Sequence, residues 1–151
     1  MTQANRLKPI RSTRPAVTAD LMKRTGLDEA RLTELVHCFY AKIRADAVLG
    51  PIFAERVPEW APHLERMVVF WSSVALMTGQ YHGTPVPKHS SLPVTKGDFE
   101  RWLTLFAEAA RETCAPVGAD HVIERAERIA RALHIAVEEA QSAPGAVPIL
   151  R

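Results

Sequence analysis

Five side chains hold most of the chemistry this sequence can offer: Tyr40, His63, Trp71, His89 and Trp102. A neutral imidazole can ligate a metal, while phenol, indole and imidazole N–H groups can donate to a small polar ligand. Taken singly each has an ordinary explanation. A tyrosine on a helix's apolar face usually ties its hydroxyl to a backbone carbonyl, and most histidines are surface or core residues. His37, His82, His121 and His134 fit no functional pattern.

The positions of the five matter more than their types. From Pro58 to Thr78 the spacing predicts a helix, with Trp60, Leu64, Met67, Trp71, Val74 and Ala75 at three- and four-residue steps. His63, Met67, Trp71 and Val74 share one face, so His63 points where the apolar side chains point. Gly79 is expected to end this helix in a left-handed conformation. Gln80 to Pro93 then carries Gly83, Pro85, Pro87 and Pro93, which exclude another long helix, and His89 lies in that loop. The helix carries the chain about 24 Å past His63 at ~1.5 Å per residue, and ten extended residues reach back roughly 33–36 Å. His89 can therefore face His63 across a slot, one imidazole on a metal and the other lining the opposite side, although geometry does not require it. With Tyr40 and Trp102 on flanking helices, the set suits a haem.

The remaining elements must position that slot. Residues 1–17 are polar, basic and marked by Pro9 and Pro15, and are expected to form a disordered arm. Thr18 is expected to cap a short turn that Gly26 ends. Asp28 should cap a helix to about Ala45, burying Leu32, Leu35, Val36, Phe39, Tyr40 and Ile43. Val48 to Ala54 reads as a short turn of helix that brings Phe53 inward. Thr95, with Asp98 three residues on, should cap a helix to Thr113 that buries Phe99, Trp102, Leu103, Phe106, Ala109 and Ala110. Pro116 and Gly118 are read as a break, after which Asp120 caps a last helix to about Gln141 with Val122, Ile123, Ala126, Ile129, Ala130, Leu133 and Val137 inside. Residues 142–151 are read as a frayed tail, leaving 18–141 as one domain. No segment shows strand alternation, so the fold class is all-α.

Composition excludes several functions. The 151 residues are 47% apolar and 24% charged with net charge +2, which suits one ordinary soluble domain. The basic residues Arg6, Lys8, Arg11 and Arg14 lack interleaved aromatics, so nucleic acid is not implied. No apolar run approaches the ~20 residues of a membrane span, and no secretory leader is evident, so the chain is expected in the cytoplasm. Cys38 and Cys114 form no zinc spacing and are read as reduced structural thiols. Phosphate loops, GxSxG and HExxH are absent from the sequence.

Phe39-Tyr40, Val48-Leu49-Gly50-Pro51-Ile52-Phe53, His63, Phe70-Trp71, His89-x-x-Leu92-Pro93 and Trp102-Leu103-x-Leu105-Phe106 occur in an order that resembles the group III truncated haemoglobins. The resemblance covers about residues 30 to 137. It implies a truncated globin fold, a two-over-two helical sandwich around haem b, with His89 as the proximal iron ligand. It places Tyr40, His63 and Trp102 on the distal side and Phe39, Phe53, Met67 and Trp71 in the pocket wall; position and charge add Lys88 and Arg66 as propionate contacts.

The function this implies is binding of oxygen and other diatomic ligands at ferrous iron. Three distal donors argue against simple delivery, because ~2.7 kcal/mol of added stabilisation is about a hundredfold in affinity. An enzyme alternative follows: nitric oxide oxidation or peroxidase-like chemistry, with electrons from an external reductase as redox partner. A third class is a haem-free helical interaction module in which the same aromatics are core.

Overall fold

A computed structural model describes residues 10–83 and 94–142. Among these residues every regular element is helical: α1 (Pro15–Thr25), α2 (Glu29–Ala45), α3 (Leu49–Arg56), α4 (Trp60–Leu76), α5 (Lys96–Thr113) and α6 (Pro116–Ser142). Helices α5 and α6 pack along each other, α2 lies on both α5 and α4, and α3 sits against α2. Two pairs, α2 with α4 and α5 with α6, thus form the two-over-two sandwich. No helix among the described residues is long and apolar enough to cross a membrane.

Local sequence explains most helix starts. Asp28 accepts a hydrogen bond from the Arg31 amide, and Thr95 and Asp98 form the reciprocal capping box expected from their spacing. The apolar stripes then meet in one core, where Leu32, Leu35, Ile43, Leu76 and Ala109 are fully enclosed. Trp71 stacks on Phe106 at 4.7 Å between ring centroids and Phe106 on Trp102 at 5.7 Å, so α4 and α5 are joined through one aromatic column.

Three boundaries differ from the sequence reading. The chain is held well before Thr18: Ile10 packs on the core, the Thr13 amide donates to the Thr78 carbonyl at 2.9 Å, and α1 begins at Pro15, whose fixed φ suits a first helical position. Residues 1–9 and 143–151 lie outside the described residues. Second, α4 ends at Met77, a left-handed residue with φ 57°, with Gly79 left-handed two residues later. Third, Gly118 does not break α6. A Cβ there would meet the Thr25 carbonyl oxygen at 2.7 Å and Leu27 at 3.1 Å, so the glycine permits close approach of the α1–α2 turn, and α6 runs from Pro116.

The C-terminal end of α4 shows how its orphan carbonyls are satisfied. His121 Nε2 lies 2.8 Å from the Ala75 oxygen, so its ring carries the proton on Nε2, and burial holds its pKa below the ordinary imidazole value. Thr18 donates to the Leu76 oxygen at 2.8 Å. Neither partner is near in sequence, and His121 is one of the histidines that the sequence left without a role.

Candidate functional site: an apolar cleft between α2, α4, α5 and α6

A cleft of about 800 Å³, counting the space at its open mouth, lies between α2–α3, α4 and the α5–α6 pair. Tyr40, Phe53, Met67, Trp71 and Trp102, all singled out from the sequence, line it. Helical spacing explains the convergence: Met67 and Trp71 are one turn apart on α4. Trp71 is 2% exposed, which makes it both a core residue and a wall.

Other expected site residues sit elsewhere. Phe39 lies one layer behind, 1% exposed, with its edge contacts on Tyr40, Trp102 and Phe106 at 4.9–5.3 Å. His63 does not line the cleft; its ring stands edge-on to Tyr40 at 5.0 Å and to Trp60 at 5.6 Å. Arg66 is on the exposed side of α4. His89 and Lys88 lie outside the described residues. The structure adds Leu49, Phe70, Tyr81, Phe99, Ile129 and Leu133 to the wall. The apolar stripes gave some signal for Phe99, Ile129 and Leu133. Tyr81 had none, because only the turn after α4 turns it back onto Phe70, at 5.0 Å.

The polar groups in this wall are few. Tyr40 is 6% exposed, and no hydrogen bond to its hydroxyl occurs among the described residues. Burial alone pushes its pKa well above the ordinary phenol value, so the group keeps its proton. The Trp102 indole N–H likewise has no hydrogen-bond partner among the described residues. Asp98 reaches the cleft's edge but is committed to the Thr95 amide at 3.0 Å. Two aromatic donors thus line a greasy cleft with no acceptor for them among the described residues.

Asp46 fixes the α2–α3 corner beside the cleft. Its carboxylate accepts from the Val48 and Leu49 amides at 3.0 and 2.9 Å and takes both oxygens to Arg101 Nε at 2.7–2.8 Å. The Arg101 hydrogen bond, then the Leu49 amide, holds this carboxyl down at about 2. One anion thus caps α3 and ties it to α5, next to the wall residue Leu49. Outside the pocket mouth, the Arg44 guanidinium lies 4.6 Å from the centre of the Trp60 ring.

The wall chemistry of this cleft, apolar and aromatic with two donors that have no partner among the described residues, suits a flat aromatic group carrying a small polar ligand. Comparison with known proteins agrees. The sequence matches the family model described as bacterial-like globin over residues 21–135. It is 33% identical over 114 residues to the group 3 truncated hemoglobin ctb of Campylobacter jejuni, covering 72% of this chain and 90% of the relative. A crystal structure of the group III truncated hemoglobin from Campylobacter jejuni superposes with a TM-score of 0.68 at 31% identity, covering 74% of this chain and 91% of the other. With the cleft and the helix order already in place, these matches establish that the chain belongs to the bacterial-like globin family, as a haem-binding truncated haemoglobin of group III.

Proposed function

We propose that this protein holds haem b in the described cleft and binds oxygen and other diatomic ligands at ferrous iron. The observation that carries the reading is the hydroxyl of Tyr40, a largely buried residue in the wall of an apolar cleft, which has no acceptor among the described residues. Haem, when bound here, would supply the iron that takes the diatomic ligand, and the residues of this chain would hold the haem, exclude water and donate to the ligand.

His89 is the proximal ligand in this reading. It rests on the resemblance and on the loop length that allows the chain to return past α4. Phe53, Met67, Phe70 and Trp71 exclude water and grip the macrocycle through apolar contact, at ~25 cal/mol per Å² of surface removed from water. On the distal side Tyr40 and Trp102 donate to the ligand. Because burial keeps the phenol protonated, Tyr40 remains a donor across the physiological pH range. Phe39 braces both donors, touching each ring edge-on. His63, edge-on to Tyr40 and outside the lining, acts as a gate that turns to admit ligand rather than as a permanent donor. Arg66 and Lys88 meet the propionates near the rim.

The test is an absorption spectrum of the purified protein in its isolated, reduced and oxygenated forms, with His89→Gly beside it. A red parent protein and an emptied variant are expected. A colourless parent that takes up no added haem would refute the reading, and a His89→Gly variant with full haem and an unchanged iron–nitrogen vibration would move the proximal role to another residue.

A further inference from the structure

The end of α4 and the turn after it are fastened by residues that precede the family match, which begins at residue 21. The fastening is a chain of hydrogen bonds. Thr18, 2% exposed, donates its single hydroxyl proton to the Leu76 carbonyl at 2.8 Å. Ser12 Oγ lies 2.6 Å from Thr18 Oγ1, so Ser12 is the donor there, and Ser12 in turn accepts from the Arg14 amide at 2.9 Å. The Thr13 amide donates to the Thr78 carbonyl at 2.9 Å, and a Cβ on Gly79 would collide with the Thr13 hydroxyl. Beyond this clasp the chain turns inward: Ser73 Oγ accepts from the Gln80 and Tyr81 amides at 3.1 and 2.9 Å, and Tyr81 becomes part of the cleft wall.

We infer that Thr18 is a positioning residue for the haem pocket, acting through the 76–81 turn to hold Tyr81 against Phe70 and so close one side of the cleft. The inference rests on the proposed haem site. Its physical basis is that linked hydroxyl bonds strengthen one another when shielded from water. The turn they hold also contains Met77, a non-glycine residue at positive φ, which persists only where the surroundings fix it. Neither Thr18 nor Ser12 touches the cleft, so any effect on haem must travel through the turn.

The experiment compares the parent with Thr18→Val, which keeps the shape and loses the hydroxyl, and with Thr18→Ser, which keeps the hydroxyl. Asp28→Ala serves as a control, since it removes the α2 cap far from the turn. In haem-free protein, amide hydrogen exchange at Gln80 and Tyr81 should quicken about tenfold in Thr18→Val and stay near the parent in Thr18→Ser and Asp28→Ala. In the haem-loaded protein, haem loss to an excess of a haem-scavenging protein should follow the same order, about five- to tenfold faster in Thr18→Val alone. Parent-like exchange and haem loss in Thr18→Val would overturn the inference, and so would equal effects in Asp28→Ala, which would reduce it to general stability. If Thr18→Val does not fold, Ser12→Ala leaves the Thr18–Leu76 bond and removes the two outer ones, to Thr18 and from the Arg14 amide, and should raise both rates about twofold; no change there overturns the inference as well. A parent that takes up no haem refutes the proposed function and this inference together, whereas failure in the variants alone refutes only the inference.

Discussion

Replacing Tyr40 with phenylalanine removes one oxygen atom, and the structure sets opposite signs for its two effects. Tyr40 is 6% exposed and its hydroxyl has no hydrogen-bond partner among the described residues, yet the oxygen is not fully enclosed; a fully buried unsatisfied donor costs ~1–3 kcal/mol. Because the residue lines the cleft and its hydroxyl is not fully enclosed, about 1 kcal/mol, the lower end, is the upper bound here. The haem-free Tyr40→Phe protein should therefore be at least as stable as the parent, with a midpoint higher by at most about 2–4 °C for a chain of this size. Ligand release should change the other way. A hydrogen bond to a charged acceptor is worth ~1.5–3 kcal/mol, which corresponds to roughly 10- to 150-fold faster oxygen dissociation once it is lost. Thermal unfolding of the haem-free protein and stopped-flow oxygen release from the ferrous protein read the two effects separately. A fall in midpoint of several degrees with unchanged release would refute the reasoning, because it would make the hydroxyl a structural bond and not a ligand donor.

Other perturbations probe the rest of the site and the fold. Tyr40→Phe combined with Trp102→Phe should give a coupling energy of about 0.5–3 kcal/mol in oxygen dissociation, since on the proposed reading both donors meet the same small ligand; additivity within ~0.5 kcal/mol would make them independent. The Asp46 carboxyl is held at about 2 against an ordinary ~3.9, so its contribution to stability is complete above pH ~4 and is lost as the pH falls from there through about 2. Asp46→Asn should accordingly flatten the acid limb of stability measured by urea unfolding between pH 5 and 2, and a limb identical to the parent's would remove the Arg101 clamp from the account. Gly118→Ala should destabilise despite a helix-propensity gain of ~1 kcal/mol, since the new Cβ meets the Thr25 backbone oxygen at 2.7 Å; a net gain in urea midpoint would show that the α1–α2 turn yields at little cost.

Much of this protein is local in origin and so was written in its sequence. Three- and four-residue spacing places Met67 and Trp71 on one face of α4 whatever surrounds them, and Asp28 and the Thr95–Asp98 pair cap their helices through groups three residues away. The ordered motifs from Phe39-Tyr40 to Trp102-Leu103 pointed to the globin family because they report a whole set of facing stripes. What tertiary structure decided was every feature whose cause lies far along the chain. Gly118 reads as a breaker until the Thr25 carbonyl stands against it, and His121 looks idle until α4 ends on its Nε2. Residues 10–17 read as an arm by composition, since a short polar segment buries too little to offset its ordering entropy of ~1–2 kcal/mol per residue. Orphan carbonyls at the end of α4, some sixty residues away, supply the partners that hold it, and they exist only once that helix has formed and docked. The cleft wall shows the same division: an apolar stripe says that Trp102 and Phe99 are covered, but only the packing of α5 against α2 and α6 decides that they face an open cleft.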